Sequence, residues 1–223
     1  MKRNQSGFTL IEIAIVLVII GLLLGGVLKG QELINSAKVK NLATDFRNIP
    51  VYIYGYQDKF RALPGDDIQA ISHVSAAANG NGNGLIDGAW DSTSTADETQ
   101  MFWADVRLAG LAAGPTTGVD LLPTNAVGGI IGITSSNTAN FTDPSAGTAA
   151  NPKISGSYII CSAGILGKYA KQLDLQMDDG NPLGGSIREF TSSGTRPAAL
   201  TVPTSLTNGM INDNDTFTVC MGV

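Results

Sequence analysis

Across residues 8–28 the chain carries one charge, Glu12. A carboxylate inside an apolar run of membrane length is costly, and such residues are kept for function beside a partner. The partner open to Glu12 is a cation, and the nearest conceivable one is a free amine. A second set of oxygen-bearing side chains alternates through Asn79, Asn81 and Asn83 and continues to Asp87 and Asp91. Oxygens at that spacing suit a hard cation such as calcium. The third candidate is a pair of thiols, Cys161 and Cys220, each following a strand-like run.

The remaining residues offer little catalytic chemistry. His73 is the one histidine, its neighbourhood reads as polar surface, and no G-x-S-x-G elbow accompanies it. The Gly-Asn run lacks the Lys-Ser/Thr ending of a phosphate-cradling loop. The carboxylates are scattered, with no pair placed by helical spacing in an apolar setting. The expectation is a protein that is not an enzyme and requires no cofactor, with calcium as an optional ligand. For calcium, Asn79, Asn81, Asn83, then Gly84 and Ile86, are similar to the start of an EF-hand-type loop. Asn replaces Asp at the early positions, and Trp90 stands where a bidentate Glu would be expected, so binding would be weak. Asp66 or Asp67 could add charge. A series of Asn-Gly turns is the other reading, and both stay open.

The elements that position these residues follow from the pattern. At about 1.5 Å per residue, the run 8–28 spans roughly 30 Å, the thickness of a bilayer core. An ordinary signal peptide is a poor fit, because the run is long, holds an acid and ends without an A-x-A-like site. A plain anchor fits the length but leaves Glu12 unexplained. Behind the run, Leu33, Ala37, Leu42, Phe46, Ile49 and Ile53 keep helical spacing, predicting one helix over about 9–62, roughly 80 Å long. Gly21, Gly25, Gly26 and Gly30 each weaken it by up to about 1 kcal/mol relative to Ala. Pro50 removes a donor and should kink the helix or end it locally. Leu63-Pro64-Gly65 stops it.

Further along, Thr95 and Glu98 form a capping-box pattern opening a helix to about residue 113. Strands are predicted over 129–134, 157–161 and 217–223, and an amphipathic helix over 165–178 with Leu166, Tyr169, Leu173 and Met177 on one side. Asp178 and Asp179 at the negative end of that helix are electrostatically unfavourable, which fits either a cation site or a solvated turn. The segments 115–152 and 191–215 read as loops rich in Gly, Ser, Thr and Asn.

The 223 residues suffice for one medium domain plus a long helix. With 14 basic and 19 acidic side chains the net charge is −5, which argues against nucleic acid as the main partner. Lys2 and Arg3 ahead of the apolar run place the N-terminus in the cytoplasm and the remainder outside. In an exported chain, Cys161 and Cys220 read as one disulfide, the other reading being two buried thiols.

Lys2-Arg3-Asn4-Gln5-Ser6-Gly7 followed by Phe8-Thr9-Leu10-Ile11-Glu12 and an apolar helix resembles the type IV pilins and type II secretion pseudopilins. The resemblance covers residues 1 to about 65 and is architectural beyond. It implies cleavage after Gly7 by a prepilin peptidase, N-methylation of the new terminus at Phe8, and an assembly role for Glu12. It also implies that the helix loosens around Gly21, Gly25 and Gly26 in a filament, and it is compatible with a kink at Pro50. The glycines would alternatively allow close helix packing in the membrane.

The expected fold is α+β: a long protruding N-terminal helix on a small antiparallel sheet, with two short helices and long loops. The expected organisation is a leader 1–7, a transmembrane or filament-core half 8–30, an amphipathic half 31–63 and a pilin-like head 64–223. The expected function is a structural subunit, stored as a single-pass protein in the inner membrane and polymerised into an extracellular or periplasmic filament. Its partners would be copies of itself, the peptidase, the inner-membrane assembly machinery and, before assembly, lipid. Two relatives of that reading are a pseudopilin of protein secretion and a minor tip pilin. A reading of another class is a membrane-tethered module binding calcium or a ligand.

Overall fold

The computed structural model describes residues 9–137, 153–191, 200 and 211–223. The processing residues Gly7 and Phe8, and parts of the two predicted loops, lie outside these. The architecture is α+β. In chain order it contains α1 (Leu10–Phe60), α2 (Ala70–Val74), α3 (Glu98–Leu108), β1 (Ile131–Ser135), β2 (Tyr158–Leu166), α4 (Gly167–Met177), β3 (Ile187–Thr191) and β4 (Thr216–Gly222). Two compact units divide the chain, Met1–Lys38 and Val39–Val223.

In the first unit, residues 10–29 are helical and exposed throughout. Leu10 is 88% exposed and Leu22 73%, so the apolar surface finds no cover within this unit among the described residues. Gly21, Gly25 and Gly26 are helical, and a Cβ added at any of them would meet open space.

In the second unit, Val39, Leu42, Ala43, Phe46, Ile49, Ile53 and Tyr56 form a buried stripe on α1. Their spacing of three and four residues puts them on one helical face. All but Tyr56 join one core with Ile133 of β1, Ile159 and Ile160 of β2, and Phe217 and Val219 of β4. Pro50 lies inside α1 and does not end it. The missing amide costs one hydrogen bond, and the stripe packed on both sides of it, Phe46 and Ile49 before and Ile53 after, keeps the chain helical.

The sheet is antiparallel throughout, in the order β1-β2-β4-β3. Its central strands β2 and β4 are buried on both faces, which explains their nearly continuous apolar sequences. Cys161 and Cys220 are directly paired across β2 and β4 and form a disulfide. Register therefore brings together thiols 59 residues apart in sequence.

Several boundaries differ from expectation. Two elements went unpredicted, α2 and β3. Within β3, Ile187 and Phe190 flank Arg188 and Glu189, and the two charges mask a strand that is buried along most of its length. Among the described residues the short helices number three. Strand β2 runs on to Leu166, so α4 starts at Gly167 rather than Ile165. Helix α3 stops at Leu108, where Gly110 takes a positive φ of 77°, well short of residue 113.

Candidate functional site

The N-terminus of α1 carries the first site. Thr9 precedes the helix, and its amide and hydroxyl both donate to Glu12 Oε2, at 2.8 and 2.6 Å. The Glu12 amide faces Thr9 Oγ1 at 3.4 Å. This is a capping box, in which the N-cap and the third helical residue satisfy each other's main-chain amides. The pattern T-x-x-E is plain in the sequence. Lys29 and Glu32 then form an exposed ion pair at 2.7 Å.

Thr95 and Glu98 share the same pattern, yet no such box forms there. Asp97 occupies the N-cap of α3 with no side-chain capping bond. The Glu98 carboxylate instead turns to the Asn-Gly loop, where Oε1 accepts the Asn81 amide and Oε2 the Asp87 amide, both at 2.9 Å. From the other side Asp66 grips the same loop. Its Oδ1 accepts Gly82 and Asn83 amides at 2.6 and 3.0 Å, and its Oδ2 accepts Gly84 at 2.7 Å. Two carboxylates thus hold five main-chain amides, and charge-assisted bonds of this kind are the stronger ones.

Within the loop, Asn79, Asn81 and Asn83 use their side-chain oxygens on the amides of Ile71, Asn83 and Leu85. The Asn81 and Asn83 side-chain amides both donate to Asp87 Oδ2, at 3.0 and 2.7 Å. Asn79, Asn81, Asp87, Asp97 and Glu98 line a polar cleft of about 380 Å³, and Asp91 is not among its lining residues. Burial pushes the Glu98 carboxyl up, against the pull of its two amide donors.

Beside this loop the stop signal after α1 builds a buried polar cluster. Asp67 Oδ2 accepts the Tyr56 hydroxyl at 2.9 Å and lies 2.6 Å from His73 Nδ1, while Oδ1 accepts the Gln69 amide. Burial works to raise Asp67, but hydrogen bonds from His73, Gln69 and Tyr56 hold it below the usual carboxylate range. Asp105 accepts the Gly65 amide at 2.8 Å and is pushed up to about 7, first by burial and then by Asp67 nearby. His73 is therefore half-buried and engaged with Asp67 rather than a free surface residue. Its ring stacks on Phe60 with centroids 5.1 Å apart. Gly65 is required, since its φ is +87° and an added Cβ would stand 2.5 Å from the Glu98 carbonyl oxygen.

A second acidic group contradicts the expectation of scattered carboxylates. Asp174 and Asp178 lie one turn apart on and just after α4, and with Asp179 they bring carboxylate oxygens within 4.8 Å of one another.

The terminal segment gives the clearest functional signal. No curated protein matches the chain. Residues 2–28 match the family described as the prokaryotic N-terminal methylation motif, so the chain bears the processing signature of type IV pilins and pseudopilins.

Proposed function

We propose that the protein is a structural subunit of a type IV pilus-like filament. Its leader, residues 1–7, is removed after Gly7, and Phe8 is N-methylated. Residues 8–30 hold the subunit in the inner membrane and later form the filament core, residues 31–63 continue as the amphipathic half, and residues 64–223 form the head. The observation that carries this reading is the exposed helical surface of residues 10–29 with Glu12 as its one charge before Lys29. Lipid, then neighbouring copies of the same helix, is the cover such a surface requires.

Glu12 supplies the register. Thr9 bonds to Oε2, and among the described residues none bonds to Oε1, which a neighbour's Phe8 amine would take, where low dielectric strengthens the attraction. Gly21, Gly25 and Gly26 provide the segment that loosens on assembly, and Pro50 the bend behind it. Mass spectrometry of the mature N-terminus tests the class: the expected species begins with methylated Phe8, and a mature chain retaining Met1 or starting beyond Glu12 would refute it. Shearing of cells separates the roles. Abundant recovery marks a major pilin, and retention in the envelope marks a pseudopilin or minor pilin.

A second reading, a membrane-tethered module gripping calcium through Asn79, Asn81, Asn83, Asp87 and Asp91, draws support from the polar cleft beside Asp87 and Glu98. It predicts that an unrelated anchor can replace residues 1–30 without loss of function, and that Asp87→Asn abolishes calcium binding.

A further inference from the structure

Beyond the filament reading and independent of it, the second unit holds a cavity of about 250 Å³ beside α3. Met101, Ala104 and Asp105 of α3 line it, and their spacing of three and four residues puts them on one helical face. Ala76, Leu121 and Asp105 are its buried residues, whereas Ala77 and Ala78 are exposed at its mouth. Among the described residues Asp105 is the one ionisable group in this lining.

Asp105 is 2% exposed, and its Oδ2 accepts the Gly65 amide. Among the described residues nothing donates to Oδ1, and that oxygen is not sealed from solvent. The groups around the carboxyl give it no cation. Tyr56 and Asp67 are its charged or titratable neighbours, and Asp67 already has His73, 2.6 Å away. Arg107, two residues on, spends its guanidinium on the carbonyls of Pro115 and Leu121. Burial, with Asp67 adding to it, raises the Asp105 carboxyl to about 7. A buried acid without a cation is costly, and a cation brought beside it favours the ionised form.

We propose that this cavity is a binding site for a small primary alkylammonium ion, whose head group pairs with Asp105 and whose stem lies along Ala76, Met101, Ala104 and Leu121. The lining selects that chemistry. Calcium needs about six or more oxygen ligands, and one open carboxylate oxygen in a mostly apolar wall does not supply them. A guanidinium seeks a two-oxygen fork, and Oδ2 is taken by Gly65. An ammonium is a compact point charge on a stem that packs along apolar surface. A cavity of about 150 Å³ takes benzene, so this one has room for a short chain and its head group.

The test is saturation-transfer NMR on the full-length protein in detergent, with pentylammonium chloride as probe and 1-pentanol as its neutral isostere. Saturable binding of pentylammonium with a Kd on the order of 1 mM is expected for so few atoms. The alcohol should bind at least about tenfold more weakly, the worth of a charge-assisted bond. Asp105→Asn should weaken pentylammonium by about tenfold or more and leave 1-pentanol little changed. Ala104→Leu, which grows a side chain into the cavity, should weaken both. Equal affinity of the two probes for the wild type would overturn the proposal, and that comparison needs no variant. So would unchanged pentylammonium binding in Asp105→Asn, or equal signals from wild type and Ala104→Leu, which would place the probe in the detergent.

Discussion

Replacing Glu12 by alanine separates what the residue does for its own helix from what it does for a neighbour. Within the chain it accepts two hydrogen bonds from Thr9, and losing a helix cap costs roughly 1 kcal/mol. That loss falls on the first turn of α1, which buries nothing in the chain, so the head should melt unchanged and subunit levels in the membrane should match wild type. In a filament the same substitution strands the Phe8 amine in low dielectric, at roughly 3–5 kcal/mol per subunit. Taking about 3 kcal/mol, at 1.4 kcal/mol per factor of ten, the subunit concentration needed for growth rises about 150-fold. The assay is the ratio of sheared to membrane-bound subunit by immunoblot, with filament lengths from electron microscopy. Thr9→Val is the control, because it removes the hydroxyl and keeps the amine partner. It should reduce assembly by no more than the cap energy implies. Glu12→Ala filaments of normal length and abundance, or equal defects in the two variants, would refute the charge-pair argument.

Further outcomes are expected of the head. Removing the Cys161–Cys220 bridge as a double alanine variant opens a closure of 59 residues. It should destabilise by about 4 kcal/mol, read as a lower denaturation midpoint that matches reduced wild-type protein. Asp105 has its carboxyl raised to about 7, so its contribution is complete below pH about 4 and is lost as pH rises towards about 7. Asp67, Tyr56 and the Gly65 amide surround it. Asp105→Asn should therefore flatten the stability profile between pH about 4 and about 7, measured by denaturant unfolding across that window. Gly65→Ala meets both a positive φ and the Glu98 carbonyl. It should cost at least about 1–3 kcal/mol and raise protease sensitivity in the Asn-Gly loop, whereas Gly84→Ala, with open space around it, should cost only its backbone strain.

The long helix, the buried stripe Val39 to Tyr56, the strands around Cys161 and Cys220, and the lone acid at Glu12 were all legible in the linear pattern. Each is a local signal. Apolar spacing of three and four residues, β-branched runs and an uncharged stretch of membrane length follow from neighbours in the chain. The capping box of Thr9 and Glu12 is equally local. The shorter elements α2 and β3 escaped because five residues carry too little periodicity, and because two charges, Arg188 and Glu189, interrupt the apolar pattern of β3 although both are buried.

The polar sites were decided by the tertiary structure. Asp66 and Glu98 stand 32 positions apart in sequence yet close on one loop. T-x-x-E at Thr95 lost its carboxylate to that loop, since two main-chain amides already fixed in space outbid a helix end open to water. Asp174, Asp178 and Asp179 bring their carboxylates together only where the chain turns at the end of α4. Chain order sets which side chains are apolar and how often they recur; where charges converge depends on register and packing between distant segments, which no local pattern encodes.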